Sequence, residues 1–325
     1  MHVAVQATTT AEFAPATKPT MYFIGVTTGK SSIMDVFPRW AEHLELGDVA
    51  IKGIDCKWHD DPAVYRRVVE FIRDDALSMG ALVTTHKLDL LKACRDLFDE
   101  LDPYAELMNE VSSISKRDGK LVGHAKDPIT SGLSLEAFLP KNHWKTSGAE
   151  ALVLGAGGSS IAVTSYMMDE RHGENRPAKI IVTNRSPKRL DEIREVHEQL
   201  NSPVKVEYHH TPKPEDNDAL CAALPDHSLV ANATGLGKDA PGSPLTDKVV
   251  FPNRGYAWDF NYRGDLLFLE QARKQGSAHA LHIEDGWVYF IHGWTQVIAE
   301  VFDIDIPATG PAFEALSRIA AAARR

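Results

Sequence analysis

A short glycine-rich stretch carries the plainest chemistry in this chain. Residues 151–154 are four apolar residues in a row; Gly155, Ala156, Gly157, Gly158, Ser159 and Ser160 follow before Ile161 resumes an apolar pattern. An apolar strand that runs through such a turn into a helix makes a phosphate cradle. Gly155 allows the tight turn, and Gly157 brings backbone up to a pyrophosphate with no Cβ in the way. Ser160 is small enough for close helix–strand packing. Free N–H groups and the dipole at the helix start favour the phosphate charge. A glycine turn without a ligand is the competing explanation, and the strand before and helix after weigh against it.

The next strand reads over residues 179–184 and ends at Asn184, followed by Arg185, Ser186, Lys188 and Arg189. A site that prefers NAD places an acid here to accept from the ribose 2′-hydroxyl. Three bases in five residues instead pair with a 2′-phosphate, the guanidinium fork making two charge-assisted bonds. The expected cofactor is therefore NADP; a basic helix start on a solvated surface is the alternative.

These residues need a frame, and the chain supplies one. Residues 21–26, 49–55 and 80–85 read as strands, each followed by a helical pattern. Asp61 and Pro62 open the helix after the second strand as N-cap and first-turn proline. Val64, Val68, Val69, Phe71 and Ile72 then recur at helical spacing. Strands alternating with helices predict an α/β fold with a mostly parallel sheet. The polar stretch 140–148 marks a domain boundary. We expect a flexible tail over 1–18, a substrate and catalytic domain over 19–147 plus 286–325, and a Rossmann-type dinucleotide domain over 148–285.

Composition narrows the partners. At 325 residues, 43% apolar and 25% charged, the chain supports two globular domains. A net charge of −10 with mixed signs disfavours nucleic acid and anionic membranes, which need a basic face. No run approaches the roughly 18–20 apolar residues of a membrane span. Three scattered cysteines without a CxxC point to a reducing, cytoplasmic setting. A monomer or homodimer is expected.

With these residues in place, the order of motifs resembles the shikimate/quinate dehydrogenase family from about residue 21 to 302. Gly25 with Ser31 and Ser32 is similar to its substrate-carboxylate loop. Residues 83–87, with Thr84 and Lys87, are similar to its catalytic-lysine segment, and 118–127 to the turn and strand delivering its aspartate, here Asp127. The turn at 155–160 and Asn184, Arg185 and Ser186 match its cofactor contacts. Asn232, Ala233, Thr234 and Gly235 match a loop near the nicotinamide, and 259–262, ending at Tyr262, the segment that follows.

The resemblance implies two domains, one substrate-binding and one NADP-binding, with a cleft between them. It also implies a Lys87–Asp127 proton relay at a secondary alcohol while hydride passes to or from the nicotinamide.

Three positions depart from the family's pattern. Leu82, Ala125 and Gly293 stand where amide side chains are expected on a hydroxylated ring. Gln296 lies three residues beyond the last of these, which we read as a different helix face. Lys126, Trp287, Tyr289, His292 and Trp294 add basic and aromatic groups, with His292 and Gln296 as substrate contacts; helix core is the competing reading of the aromatics, Trp287 and Phe290 above all. Losing amide partners weakens selectivity for ring hydroxyls. The expected substrate is thus a cyclic hydroxy acid or related cyclic compound other than shikimate. An amino-substituted ring or imine, or an idle NADP-binding regulatory protein, are the competing readings. Ser31, Ser32 and Lys30 hold a carboxylate or else form a helix N-cap. Histidines 59, 209, 210 and 282 beside acids lack a closed ligand set, so no metal is expected. Cys94 reads as packed rather than reactive.

Overall fold

The computed structural model describes residues 13–238 and 240–323, which divide into two compact units. The first comprises residues up to Lys126 together with Gly293 onward, and the second runs from Asp127 to His292.

The first unit opens with β1 (Thr20–Gly25), α1 (Ile33–His43), β2 (Ala50–Asp55), α2 (Pro62–Asp74), β3 (Ser78–Val83) and α3 (Lys87–Cys94). It continues with β4 (Glu100–Leu101), α4 (Pro103–Met108), β5 (Ser113–Arg117) and β6 (Lys120–His124). The sheet order is β2-β1-β3-β5-β6-β4. The expectation of a mostly parallel layer holds for β2, β1 and β3, but β5 runs antiparallel to both β3 and β6. Asp118 and Gly119, at φ 52° and 77°, turn β5 into β6 as a tight hairpin, which no helical crossover could do. Asp61 caps α2 as predicted, accepting from the Ala63 N–H at 2.8 Å with Pro62 in the first turn.

The second unit holds α5 (Asp127–Phe138), α6 (His143–Ser147), β7 (Ala151–Leu154), α7 (Gly158–Met168), β8 (Lys179–Asn184) and α8 (Pro187–Gln199). Next come β9 (Lys205–His210), α9 (Pro214–Ala222), β10 (Leu229–Asn232), β11 (Tyr256–Asp259), α10 (Leu267–His279) and β12 (His282–Glu284). All six strands are parallel in the order β12-β11-β10-β7-β8-β9, the doubly wound arrangement of a Rossmann fold.

Such a sheet is covered on both faces, so its central strands are apolar throughout. Val153, Val182, Ala231 and Trp258 face one core with Leu135, Val163 and Met167 of α5 and α7. Leu152, Leu154, Ile181 and Val230 face the other, with Phe268, Leu269 and Ala272 of α10.

The unit limits differ from the boundaries expected from sequence. Leu135 brings α5 into the core beneath α7, so the second unit begins at Asp127 rather than 148. The chain rejoins the first unit at Gly293, within α11 (Trp287–Phe302), rather than at 286. There α12 (Gly310–Ala321) packs on α1, with Trp40 Nε1 donating to the Leu316 carbonyl at 2.9 Å. Residues 1–12 of the expected flexible tail lie outside the described residues, but 13–18 are docked. Phe13 stacks on Phe71 at 4.9 Å, and Lys18 pairs with Asp48 at 2.6 Å. Burying the Phe13 ring offsets the entropy of ordering this segment. No helix among the described residues is long and apolar enough to cross a membrane.

Candidate functional site

The glycine turn sits between β7 and α7. Gly155 has φ +109°, and a Cβ there would lie 2.9 Å from the Ala233 carbonyl oxygen, so conformation and packing both require glycine. Gly157 differs. Its φ of −96° and ψ of −171° suit any residue, and an added Cβ meets nothing within 4 Å. No atom of the described residues explains a glycine there, whereas a pyrophosphate brought against the backbone would. Gly157 is the N-cap of α7 and provides no side-chain cap, so the first N–H groups of α7 face outward for an anion. Ala156 and Ser160 are buried, Ser159 is half-buried, and Gly158 is exposed. The cradle thus fits a dinucleotide phosphate on structural grounds.

β8 leads into the second group. Asn184 Oδ1 accepts from the Ser186 N–H at 2.8 Å, setting the turn that starts α8. Arg185, Lys188 and Arg189 are exposed beside it. Glu192 holds Arg189 at 2.8 Å and lies 3.9 Å from Lys188, so any anion bound there would compete with a surface carboxylate. Exposed pairs of this kind hold weakly. Arg185 is the base nearest the strand end.

Across the sheet, the loop after β10 is tied down from within. Asn232 is fully buried; its Oδ1 accepts from the Thr234 N–H at 3.1 Å and from Thr234 Oγ1 at 2.6 Å. Ala233 is half-buried, and Gly235 takes φ +74°. Asp259, to which the sequence reading gave no role of its own, ends β11 next to Asn232 at 3.0 Å. The detectable signal was an acid closing an otherwise apolar strand.

In the first unit, the candidate residues lie at the carboxyl ends of the parallel strands. Asp55, ending β2, accepts from the Thr28 N–H at 2.8 Å and Thr28 Oγ1 at 2.6 Å, anchoring the loop that bears Ser31 and Ser32. Ser32 takes the N-cap position of α1 without a side-chain capping bond, so capping does not explain it. Thr84 donates its N–H to the Ile24 carbonyl at 3.0 Å, placing it beside the same loop. Lys87 is the first residue of α3 and half-buried. Just ahead of it Thr85 has φ +38°, a left-handed conformation rare for a β-branched residue. His86 is buried, with Nδ1 3.1 Å from the Tyr65 hydroxyl, and burial lowers its pKa. A strained turn locked by a buried ring fixes where Lys87 begins its helix.

Asp127 is the first residue of α5 in the second unit and half-buried. Tyr262 packs its ring against Trp287 and Phe290 at 5.4 and 5.0 Å. His292 is buried, which pushes its pKa down to about 4 and keeps it neutral.

Three pocket readings need correction. Gln296 does not occupy a different face from Gly293: residues 293, 296 and 300 are the half-buried stripe of α11, because positions three and seven apart share a helix face. Lys126 adds no free charge, since its Nζ lies 2.5 Å from Glu300. Trp294 is core, its ring edge-on to Phe23 at 4.9 Å, and Tyr289 packs on Phe260 at 5.1 Å. Leu82 is half-buried, Ala125 is fully buried, and a Cβ on Gly293 would meet nothing within 4 Å. His59, His209 and His282 bond Asp89, Glu207 and Glu284, and no group of three or more potential ligands gathers among the described residues. Cys94 is buried, its thiol pushed up to about 12 by burial.

Fold and cradle together define a two-unit α/β protein whose second unit is built to hold a dinucleotide. No family model matches the chain. It is similar to NADP-dependent shikimate dehydrogenases, as the motif order implied. The shikimate dehydrogenase (NADP(+)) of Lactococcus lactis subsp. cremoris is 27% identical over 226 residues, 69% of this chain and 74% of that one. The shikimate 5-dehydrogenase of Thermus thermophilus, solved with NADP(H) and shikimate, superposes with a TM-score of 0.66 at 21% identity, covering 94% of this chain and 99% of that one. The ligand-free 5-ketofructose reductase of Gluconobacter sp. strain CHM43 gives a TM-score of 0.66 at 16% identity, covering 94% and 98%. At such identities the structural likeness speaks for the fold alone.

Proposed function

We propose that this chain is an NADP-dependent oxidoreductase of the shikimate dehydrogenase type. It moves hydride between NADP(H) and a secondary alcohol or ketone of a cyclic hydroxy acid or related cyclic substrate. The observation that carries the reading is Gly157: a glycine required by no protein atom, at the uncapped start of α7, with Arg185 at the end of the neighbouring strand. The similarity to NADP-dependent relatives points the same way.

Bound NADP(H) supplies or takes the hydride, and the chain's residues do the rest. The α7 N–H groups and Gly157 backbone hold the pyrophosphate, while Arg185, Lys188 and Arg189 select the 2′-phosphate. Lys87 hydrogen-bonds the substrate oxygen and, with Asp127, passes the hydroxyl proton as the carbon is oxidised or reduced. Ser31 and Ser32 receive the substrate carboxylate at the start of α1, and Thr84, Tyr262 and Gln296 line the ring; His292, buried and neutral, is not exposed to touch it. Leu82, Ala125 and Gly293 offer no amide to ring hydroxyls. The preferred ring is therefore less hydroxylated than shikimate, or bulkier where Gly293 leaves space.

An absorbance screen at 340 nm against cyclic hydroxy acids, amino-cyclitols and aromatic alcohols, with shikimate included, tests this. Turnover is expected on a less hydroxylated ring and only weakly on shikimate. Lys87→Ala should cut kcat by about 10²–10⁴ while NADPH affinity holds. Wild-type turnover by Lys87→Ala would remove the proton relay from the account.

A further inference from the structure

Asp259 is a fully buried carboxylate that the chemistry above does not use. Asn232 Nδ2 donates to its Oδ2 at 3.0 Å, and the Asn261 N–H donates to its Oδ1 at 2.9 Å. An ionised carboxylate only accepts, so it forces the NH₂ end of the Asn232 amide to face it. The Asn232 carbonyl oxygen is then left to take both bonds from Thr234. Thr234 Oγ1 accepts in turn from the Leu236 N–H at 3.1 Å, and Asn261 Nδ2 donates to the Leu236 carbonyl at 3.3 Å. The carboxylate thereby acts with the Thr234 N–H and with the Leu236 carbonyl, which accepts from Asn232 Nδ2 at 3.4 Å, to hold Asn232 one way round, and Asn232 ties down residues 232–237.

That loop has a predictable neighbour. β7 lies between β8 and β10, so the strand order reverses there. In a doubly wound sheet a dinucleotide lies across the crevice at this point, outside the carboxyl ends of the strands. The 2′-phosphate end belongs to the β8 side, beside Arg185. The nicotinamide half therefore falls on the β10 side, over residues 232–237.

Retaining Asp259 opposes stability. Burial pushes its pKa up to about 6, partly offset by the bonds from Asn261 and Asn232, with Asp285 ahead of α11 pushing the same way as burial. Its folded value exceeds the ordinary ~3.9 of an aspartate, so this group's contribution to stability falls as pH rises from about 4 to about 6. An ionised acid kept against that penalty fits a role in function better than one in folding.

We propose that Asp259 is a positioning residue for the nicotinamide half of the cofactor, acting through Asn232 on the loop 232–237. The inference rests on the NADP reading above. Among the described residues, Asp285 acts on Asp259 as a like charge; Asn232 and Asn261 are neutral.

The test compares the affinities of the full-length protein for NADPH and for 2′,5′-ADP, which carries the same 2′-phosphate but no nicotinamide. Asp259→Asn should weaken NADPH about five- to tenfold, the effect of one lost hydrogen bond, and leave 2′,5′-ADP unchanged. The ratio of the two affinities cancels titration of the 2′-phosphate. It should fall below pH about 6 in the wild type and stay flat in Asp259→Asn. Thr234→Val, at an exposed position, should show the same split at pH 8 if Asp259→Asn fails to fold. An unchanged ratio in the variants, or equal loss of both ligands, overturns the positioning role. Wild-type protein that binds neither ligand overturns the NADP reading itself.

Discussion

The Lys126 ammonium sits 2.5 Å from the Glu300 carboxylate, joining the residue before Asp127 to the last turns of α11. Glu300 also receives Arg117 at 3.1 Å and His124 Nε2 at 3.4 Å. Burial pushes its carboxyl up, but Lys126, His124 and Arg117 together outweigh burial and hold its pKa below the usual value. A lysine whose position suggests a pocket charge is thus committed to bracing the chain at Asp127.

Lys126→Met should therefore act on stability. Both side chains are about 15% exposed or less, and Arg117 and His124 remain for Glu300. The expected loss is about 1–3 kcal/mol, below that of a fully buried pair broken outright. Urea unfolding measures it. Unchanged stability with a raised KM for an acidic substrate would instead put Lys126 in the substrate's path.

Gly157→Val separates folding from binding. The backbone there suits valine, and the new Cβ meets no protein atom within 4 Å. The thermal midpoint should fall by only a few degrees, since a poorer N-cap costs on the order of 1 kcal/mol. NADPH binding should weaken about ten- to hundredfold from overpacking against the phosphate. Wild-type affinity in this variant would leave the glycine without a ligand to explain it.

Acid should loosen the second unit through His197. Its Nε2 is 2.7 Å from Thr164 Oγ1 and its Nδ1 is 2.8 Å from the Tyr208 hydroxyl, and burial pushes its pKa down to about 4. The unfolded chain, with an ordinary value near ~6.5, takes the proton first as pH falls. The stabilisation is complete above that pH and is lost on the way down to about 4, on the order of 3 kcal/mol. Unfolding measured at pH 7.5 and 5.0 should show a shallower acid loss for His197→Gln than for the wild type. Matching slopes would mean that His197 does not carry it.

The parts legible in the sequence were those written locally. An apolar run, glycines and a helix in succession announce the β7–α7 cradle because all of its determinants lie within about a dozen residues. Asp61 with Pro62 likewise carries its helix start in two letters, whereas the turn at Asp118 and Gly119 was read only through the family resemblance. What escaped depends on distant partners. Glu300 lies 174 residues from Lys126, and Asn232 lies 27 from Asp259, so neither pair has a spacing to read. The docking of α5 beneath α7 is a tertiary choice made by Leu135, not by the polar stretch that suggested a boundary at 148. Gln296 was misjudged on geometry alone, since three residues along a helix return almost to the same face.

The central claim is a site built for NADP, and paired titrations of NADPH and NADH test it most directly. With Arg185, Lys188 and Arg189 beside the ribose, NADPH should bind at least about tenfold more tightly, as two charge-assisted bonds imply, and Arg185→Ala should remove most of the difference. Equal affinities for the two cofactors in the wild-type protein would contradict the account.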